Sequence, residues 1–428
     1  MQKPVLQPAD ILLPAKGENL GLWAVLACDQ FTSQPEYWQQ VEELVGTAPS
    51  TLHIIYPEVY LEEENGAARI AKIQASMRQY RQQVLTQKVQ GYVYVERTFP
   101  GLPPRQGLVG CVDLEDYSYT PGAASRIRPS ENTLVERIPP RLAVRRGAAL
   151  ESPHILMLAD DTEKAIIEPF AHKKDELELL YSQDLILDGG HVQGWAITSP
   201  QDIAQIAAAL ATLDNPERFA EKYDAQGQPH FALAVGDGNH SLATAKAYWE
   251  ELKQTLPAAE AEDHPARYCL VELENVQSPA IEIEPIHRVV FGADPACMLR
   301  GAALFAGATG GALLPAGQDQ QQFVALHKNG QQGIGVSNPH GAIAAATLDA
   351  FLQGYAVDHP EIVVDYVHGE DAVRELAQKG AVGILLPPFQ KSDLFKGVAL
   401  GGVLPKKTFS MGHANQKRYY LECRAIER

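Results

Sequence analysis

The most chemically informative stretch of the chain is GDGNHS, residues 236–241, which joins an apolar run to a helical pattern. Two glycines let a backbone turn tightly, and a helix N-terminus offers N–H groups and partial positive charge to a phosphate or carboxylate. Asp237 and His240 add groups for acid–base chemistry or for magnesium. The alternative is an ordinary turn with a capped helix. The phosphate-binding residues predicted here are Gly236, Gly238, Asn239 and Ser241.

A second candidate segment is RIRPSENT, residues 126–133. Its arginines, Arg128 among them, could clamp an anion. Glu131 offers a base, and Asn132 and Thr133 offer hydrogen-bonding groups. The alternative is a solvated loop before a strand that reaches Ile138.

A third candidate is EPIHR, residues 284–288, at the end of a predicted strand. His287 and Arg288 together could meet a phosphate. A structural histidine with its hydrogen bonds satisfied inside the protein is an equally open reading.

A fourth candidate lies near the C-terminus, in LPKKTFSMG, residues 404–412. Lys406 and Lys407 supply positive charge, and Ser410 supplies a hydroxyl close by. A solvated tail is the alternative, because charge runs near chain ends usually face water.

Composition and motifs exclude several classes of protein. The 428 residues carry a net charge of −17, which argues against broad binding to nucleic acid or to anionic membranes. Five scattered cysteines, no apolar run of ~18 residues and no signal-like start predict a cytoplasmic protein without membrane spans. The common P-loop, zinc-protease, nucleophile-elbow and kinase motifs are absent, and the 13 histidines lack zinc-ligand spacing, so no zinc is expected.

Short apolar runs alternate with helical periods, which predicts a mixed α/β fold. Runs 92–95 and 108–112 should pair as strands, as should 268–273 and 280–284. The other predicted strands are 22–27, 52–56, 231–235, 362–367, 381–386 and 418–423. The predicted helices begin near 33, 67, 199, 239 and 370. Soft boundaries divide the chain into an N-terminal α/β region (1–120), a central region (121–298) and a C-terminal αβ region (299–428), which could also form one integrated unit.

Several motifs together resemble a known family. They are, in order, WAVLACDQFTSQPEYW, RIRPSENT, GDGNHSLATAKA, IEPIHRVV, GILLPPF and LPKKTFSMGHANQKRYYLE. Over essentially the whole chain they resemble the bacterial and archaeal domain-of-unknown-function family numbered one thousand and fifteen. That family has been grouped with ParB/sulfiredoxin-like proteins, which include CTP-hydrolysing partition proteins, sulfiredoxins and a free-serine kinase. The resemblance implies a multi-layer α/β fold with a ParB/sulfiredoxin-like central part and a small C-terminal αβ unit.

The chain departs from the family pattern at the turn. Many members have DGHHR there, whereas this sequence has Asn239 and Ser241 in place of the second histidine and the arginine. Arg128, Arg288 or Lys406 would then have to supply the missing positive charge.

The residues and the resemblance together favour a small-molecule phosphotransferase that binds a nucleotide or a phosphorylated metabolite. Asp237 would hold magnesium that comes with the nucleotide, and Glu131 or His240 would take a hydroxyl proton from a small acceptor. The first alternative is a non-catalytic nucleotide or metabolite sensor, and the least favoured is a ParB-like protein associated with nucleic acid. The sequence leaves the oligomeric state open, and the hypothesis requires the separate segments to meet in one cleft.

Overall fold

The computed structural model describes residues 3–61, 63, 65–120, 122–315, 317, 321–405, 408–412 and 414–428, with the backbone alone for 409–411. Helices and strands alternate along these residues, and the predicted mixed α/β class is confirmed.

The helices of the described residues are, in chain order, α1 (Leu20–Trp23), α2 (Pro35–Val45), α3 (Gly66–Gln83), α4 (Ile138–Arg145), α5 (Glu168–His172), α6 (Pro200–Leu213), α7 (Pro216–Tyr223), α8 (Asn239–Lys253), α9 (Ala258–Glu262), α10 (Pro295–Ala308), α11 (Ala344–Asp358), α12 (Glu370–Gln378) and α13 (Lys391–Gly401). The strands are β1 (Ala9–Leu13), β2 (Gln87–Thr98), β3 (Arg105–Asp113), β4 (Ile127–Pro129), β5 (Leu150–Glu151), β6 (Leu156–Ala159), β7 (Glu178–Asp184), β8 (His191–Ile197), β9 (Leu233–Asp237), β10 (Tyr268–Asn275), β11 (Ile283–Phe291), β12 (Ala312–Pro315), β13 (Gln321–His327), β14 (Gly330–Ser337), β15 (Val363–His368), β16 (Val382–Leu385), β17 (Phe409–Met411) and β18 (Arg424–Ala425).

The chain forms two compact units. The first unit contains the chain up to Lys222 together with Pro229–Ile281 and Gly412–Arg428. The second unit contains Tyr223–Gln228 and Glu282–Met411. The boundaries predicted from the sequence near 120 and 298 stay predictions.

The first unit is built on a sheet with the strand order β4-β9-β6-β10-β3-β2-β8-β7, and β1 pairs with β2. Alternate residues of a strand point to opposite faces of the sheet, so the residues of one strand show what packs against each face. On β2, Val93 and Val95 enter one apolar cluster, whereas Tyr92 and Tyr94 enter another. The sheet therefore lies between two apolar cores.

The second unit contains a sheet with the order β12-β14-β13-β16-β11-β15, and β17 pairs with β11. Helix α12 covers this sheet through Val373 and Ala377, which pack with Val289 and Leu326. The strand–helix–strand pattern predicted between 362 and 386 is confirmed by β15, α12 and β16.

Several predictions that depend only on neighbouring residues in the sequence are confirmed. Helix α3 has the predicted buried stripe, which includes Ile73 and Met77. The Ser199 side chain accepts a hydrogen bond from the Asp202 N–H and caps α6. Strands β2 and β3 pair antiparallel, with Tyr94 opposite Leu108. Helix α2 is also confirmed, although its N-cap is Gln34.

Four predicted strands are wrong. The strand expected to reach Ile138 is instead a 3-10 helix, Val135–Arg137, followed by helix α4. Residues 22–27 begin with helix α1, because the Asn19 side chain accepts from the Gly21 and Leu22 N–H groups. Residues 52–56 follow the same principle, with a 3-10 helix capped by Ser50. Residues 418–423 make isolated bridges, such as that between Leu26 and Tyr419. Short buried apolar runs do not distinguish a strand from other buried segments.

The predicted pairing of runs 268–273 and 280–284 is also wrong. β10 pairs with β3 and β6, whereas β11 pairs with β15, β16 and β17 in the second unit. The change of unit between the two strands explains why neighbours in sequence do not pair.

Candidate functional site

The turn between β9 and α8 has a backbone that only glycine adopts easily. β9 ends at Asp237, and α8 begins at Asn239. Gly238 lies between them with φ of +79°, and a Cβ there would stand 3.1 Å from the Ile155 Cα. The predicted strand–turn–helix is confirmed, and it brings the helix N-terminus to the edge of the sheet.

A second predicted segment reaches the same edge. β4 runs parallel to β9, with Arg128 opposite Ala234, so the carboxyl ends of both strands lie side by side. The loop that follows β4 contacts the turn directly, because the Leu134 N–H donates to His240 Nε2 over 3.2 Å. The structure therefore brings RIRPSENT and GDGNHS together.

Asp237 faces a lysine that the sequence analysis did not single out. Its Oδ2 lies 3.0 Å from Lys417 Nζ, and its Oδ1 accepts the Gly238 N–H over 2.9 Å. Burial raises the pKa of Asp237, but the charge and hydrogen bond of Lys417 outweigh it, and the pKa lies below its ordinary value. The turn thus carries an ionised carboxylate with a cation beside it.

Two arginines fix the backbone that carries Lys417. Arg97 Nη2 donates to the Asn415 carbonyl over 2.6 Å, and Arg105 Nη1 donates to the Gln416 carbonyl over 2.7 Å. Burial lowers the pKa of Arg97 to about 9, so its guanidinium remains charged at neutral pH. Residues from β2 and β3 thereby direct Lys417 towards the turn.

His240 is a neutral imidazole in a positive environment. Burial, assisted by Arg141 and Arg137, lowers the pKa of His240 to about 4. Because Nε2 accepts the Leu134 N–H, the ring proton of the neutral form lies on Nδ1. His240 therefore offers an N–H donor at its second ring nitrogen.

The remaining predicted residues of RIRPSENT differ in exposure. Arg128 is only 2% exposed, and its Nη2 donates to the Pro229 carbonyl over 2.8 Å. Burial lowers the pKa of Arg128. Glu131 and Thr133 are half-buried in the loop, and Asn132 is exposed. The role of each in ligand binding stays a prediction.

A cleft of about 160 Å³ lies beside the first turn of α8. Its wall includes Ser241, His154, Tyr420, Glu58 and Arg141. The Ser241 hydroxyl and His154 Nε2 are 2.9 Å apart, and Glu58 forms an ion pair with Arg141. The cleft therefore offers polar and charged groups next to the helix N-terminus.

The family model described as "Protein of unknown function (DUF1015)" matches residues 7–351. The chain belongs to the DUF1015 family. This confirms the resemblance stated from the sequence motifs. No protein of curated function matches the chain.

Solved structures similar to this DUF1015 protein have low sequence identity to it. A free serine kinase in complex with AMP is 10% identical, with a TM-score of 0.36, over 73% of this chain and 90% of the other. A conserved hypothetical protein from Pyrococcus furiosus is 9% identical, with a TM-score of 0.34, over 74% and 95% of the two chains. SbnI from Staphylococcus aureus, with a C-terminal truncation, is 10% identical, with a TM-score of 0.35, over 71% and 82%.

The EPIHR segment of this DUF1015 protein lies within strand β11 in the second unit. Arg288 has no exposed surface, and its Nε and Nη2 donate to the Asp349 carboxylate over 2.8 and 3.0 Å. His287 Nδ1 accepts the Leu386 N–H over 3.2 Å, and burial lowers the pKa of His287. Arg288 is thus buried and paired with Asp349, and its predicted role in phosphate binding stays a prediction.

The C-terminal candidates are only partly described. Lys406 and Lys407 lie outside the described residues, and so does the side chain of Ser410, whose backbone pairs with Glu284 in β11. Within the described residues, no three His, Cys, Asp or Glu side chains group as metal ligands. In that same part of the chain, no helix is long and apolar enough to span a bilayer.

Sequence reasoning missed Lys417, His154 and Tyr420. Lys417 and Tyr420 lie in LPKKTFSMGHANQKRYYLE, the longest C-terminal motif of the family resemblance, so a signal was present. His154 precedes β6, which pairs with β9, and only that pairing brings it to the turn. Its sequence context, SPHIL, carries no comparable signal.

Proposed function

We propose that this DUF1015 protein binds a nucleotide or another phosphorylated small molecule at the β9–α8 turn and transfers or removes its phosphoryl group. The observation that supports this most is the convergence of three distant segments at one helix N-terminus. Asp237 and His240 come from the turn, Leu134 from the loop after β4, and Lys417 from the C-terminal segment.

The local charge favours an anion despite the net charge of −17. The N-terminus of the 15-residue helix α8 carries partial positive charge, and Lys417 adds a full charge beside it. Burial is the main reason for the lowered pKa of His240, and Arg141 of α4 and Arg137 just before that helix add to the shift. A phosphate in this position would be attracted from several directions.

Phosphoryl transfer depends mainly on positioning and on neutralising charge, which suits these residues. Lys417 would neutralise charge on the transferred group, and Asp237 would hold Lys417 in place. His240 would donate from Nδ1 to a phosphate oxygen. Because His240 Nε2 already accepts the Leu134 N–H and Nδ1 carries the ring proton, Glu131 would accept the hydroxyl proton.

The magnesium predicted at Asp237 stays a prediction. One carboxylate oxygen already faces Lys417 and the other accepts the Gly238 N–H, so these residues fit a carboxylate–lysine pair better than a resident ion. The mechanism proposed here therefore contains no step through a metal.

Calorimetric titration with AMP, ADP and ATP, with and without magnesium, tests the binding. Phosphorus NMR of ATP incubated with small hydroxylated acceptors tests the turnover. Asp237→Asn should abolish turnover and leave the fold intact, because it removes the charge that positions Lys417. Asp10→Asn, which breaks the exposed pair with Lys88, is the matched control and should change neither measurement.

Three outcomes separate the functions. Binding with turnover that Asp237→Asn abolishes supports the phosphotransferase. Binding without any product supports the nucleotide sensor instead. Failure of the wild-type protein to bind any of the three nucleotides, or full activity in Asp237→Asn, contradicts the proposal.

A further inference from the structure

The wall of the cleft contains a chain of hydrogen bonds that ends at α8. The Cys28 N–H donates to the Tyr420 hydroxyl oxygen over 3.1 Å. That hydroxyl lies 2.8 Å from His154 Nδ1, and His154 Nε2 lies 2.9 Å from the Ser241 hydroxyl. Tyr420 and His154 are buried, at 2% and 8% exposed, so water has little access to the first two links.

The direction of this chain depends on which acceptor takes the Tyr420 proton. A backbone N–H can only donate, so the Tyr420 oxygen is the acceptor from Cys28. Burial raises the pKa of Tyr420 well above its ordinary range, so the phenol keeps its proton. The Cys28 thiol is also within hydrogen-bond reach of the phenol, but burial raises its pKa to about 12, so it stays a neutral thiol, which is a weaker acceptor than an imidazole nitrogen. The phenolic proton therefore goes to His154 Nδ1.

A neutral imidazole that accepts at Nδ1 carries its proton at Nε2. An acidic side chain favours the same arrangement, because Asp29 Oδ2 lies 4.0 Å from His154 Nε2. Nε2 then donates to the Ser241 oxygen. The Ser241 proton has to point away from His154, and Ser241 is the third residue of α8, on the wall of the cleft.

We propose that Tyr420 and His154 fix Ser241 as a hydrogen-bond donor to an ionised, acceptor-only oxygen of the ligand, such as a phosphoryl oxygen. This inference rests on the proposed function and deepens it, because it names the group that the cleft recognises. It also excludes one role for Ser241. A serine whose oxygen accepts a hydrogen bond from His154 cannot pass its own proton to that nitrogen, so His154 does not activate Ser241 as a nucleophile.

The tautomer of His154 can be measured without any ligand. Nitrogen-15 NMR of the full-length protein at about pH 8 should show the proton on Nε2, with the signal assigned by its loss in His154→Gln. Tyr420→Phe should raise the population of the Nδ1–H form. Tyr419→Phe, which removes a neighbouring buried hydroxyl bonded to the Ile186 carbonyl, should leave the signal unchanged. A wild-type proton on Nδ1 overturns the proposal.

Binding of ADP tests the donor itself. Ser241→Ala should weaken ADP binding about tenfold, the expected effect of losing a hydrogen bond to a charged group. Tyr420→Phe should weaken it in the same direction without touching the ligand. The control is Thr244→Val, since the Thr244 hydroxyl lines the same cleft but donates to the His240 carbonyl.

The two proposals fail in different ways. Equal ADP affinity of Ser241→Ala and wild type overturns the donor role while nucleotide binding stands. A wild-type protein that binds no nucleotide contradicts the proposed function, and the tautomer measurement then decides the hydrogen-bond direction alone. Thermal unfolding of each variant verifies that Tyr420→Phe remains folded.

Discussion

Two segments of this protein combine a buried strand with a histidine and a charged neighbour, and they use those residues differently. In GDGNHS the polar groups come where β9 ends and α8 begins. In EPIHR they lie inside β11, where Arg288 is opposite Tyr366 on one side and Ile384 on the other. A residue at a strand end can face a cleft, whereas one within a paired strand is surrounded by the protein.

The ion pairs of the two segments show the same contrast. The Asp237 and Lys417 side chains keep 23% and 15% exposure, whereas Arg288 and Asp349 keep 0% and 11%. Removing one partner of a buried ion pair is strongly destabilising, because it leaves an uncompensated charge inside the protein. We therefore expect the Arg288–Asp349 pair to stabilise the second unit and the Asp237–Lys417 pair to be available for a ligand.

The largest expected effect is on stability. Arg288→Met leaves Asp349 buried without its cation, so the free energy of unfolding of the second unit should fall by about 3–5 kcal/mol in urea denaturation. Arg374→Met breaks an exposed pair with Glu370 in the same unit, and the cost should stay below about 1 kcal/mol. If ADP binding is lost in folded Arg288→Met protein, the contrast between the segments is wrong.

The next effect is on affinity. Lys417→Met removes the cation beside Asp237, and ADP binding measured by calorimetry should weaken about 10- to 100-fold, with little change in unfolding temperature. Lys253→Met is the matched variant, because Lys253 also pairs with carboxylates but lies at the other end of α8. Equal losses in both variants would mean that net charge, not the turn, determines binding.

A smaller effect concerns the backbone of the turn. Gly238→Ala should cost about 1–2 kcal/mol of stability from its positive φ and should also weaken ADP binding. Gly101 has the same φ of +79° with nothing within 4 Å of its Cβ position. Gly101→Ala should therefore show the backbone cost alone, measured by urea unfolding. Unchanged ADP affinity in Gly238→Ala would mean that the backbone of the turn does not contact the ligand.

The smallest effect is a pH dependence of stability. The folded pKa of His240, about 4, lies below the ordinary value of 6.5, so the unfolded chain takes up the proton first as the pH falls. As far as His240 is concerned, the folded protein is most stable above pH 6.5 and loses stability as the pH falls towards 4. Because His240 is partly exposed, we expect a loss of about 1 kcal/mol. In His240→Gln, the free energy of unfolding measured in urea should depend less on pH across this range. An unchanged pH dependence would contradict the assignment.

The sequence predicted the parts of the site that depend on local patterns. The turn, α8 and the strand before it follow from glycine spacing and helical periodicity near residue 238. Lys417 is 180 positions away from Asp237, and no local rule connects them. Residues 22–27 and 418–423 have the apolar pattern of strands. The first segment begins in a helix capped by Asn19, and the second forms only isolated bridges.

The first unit takes its last segment, Gly412–Arg428, after the chain has already produced the second unit. During synthesis on the ribosome, the turn at Asp237 emerges long before Lys417 does, so the nascent first unit has a carboxylate without its cation. A chain interrupted before residue 412 would lack this cation. The carboxylate–lysine pair at the turn is therefore completed only after the last segment of the chain has been synthesised.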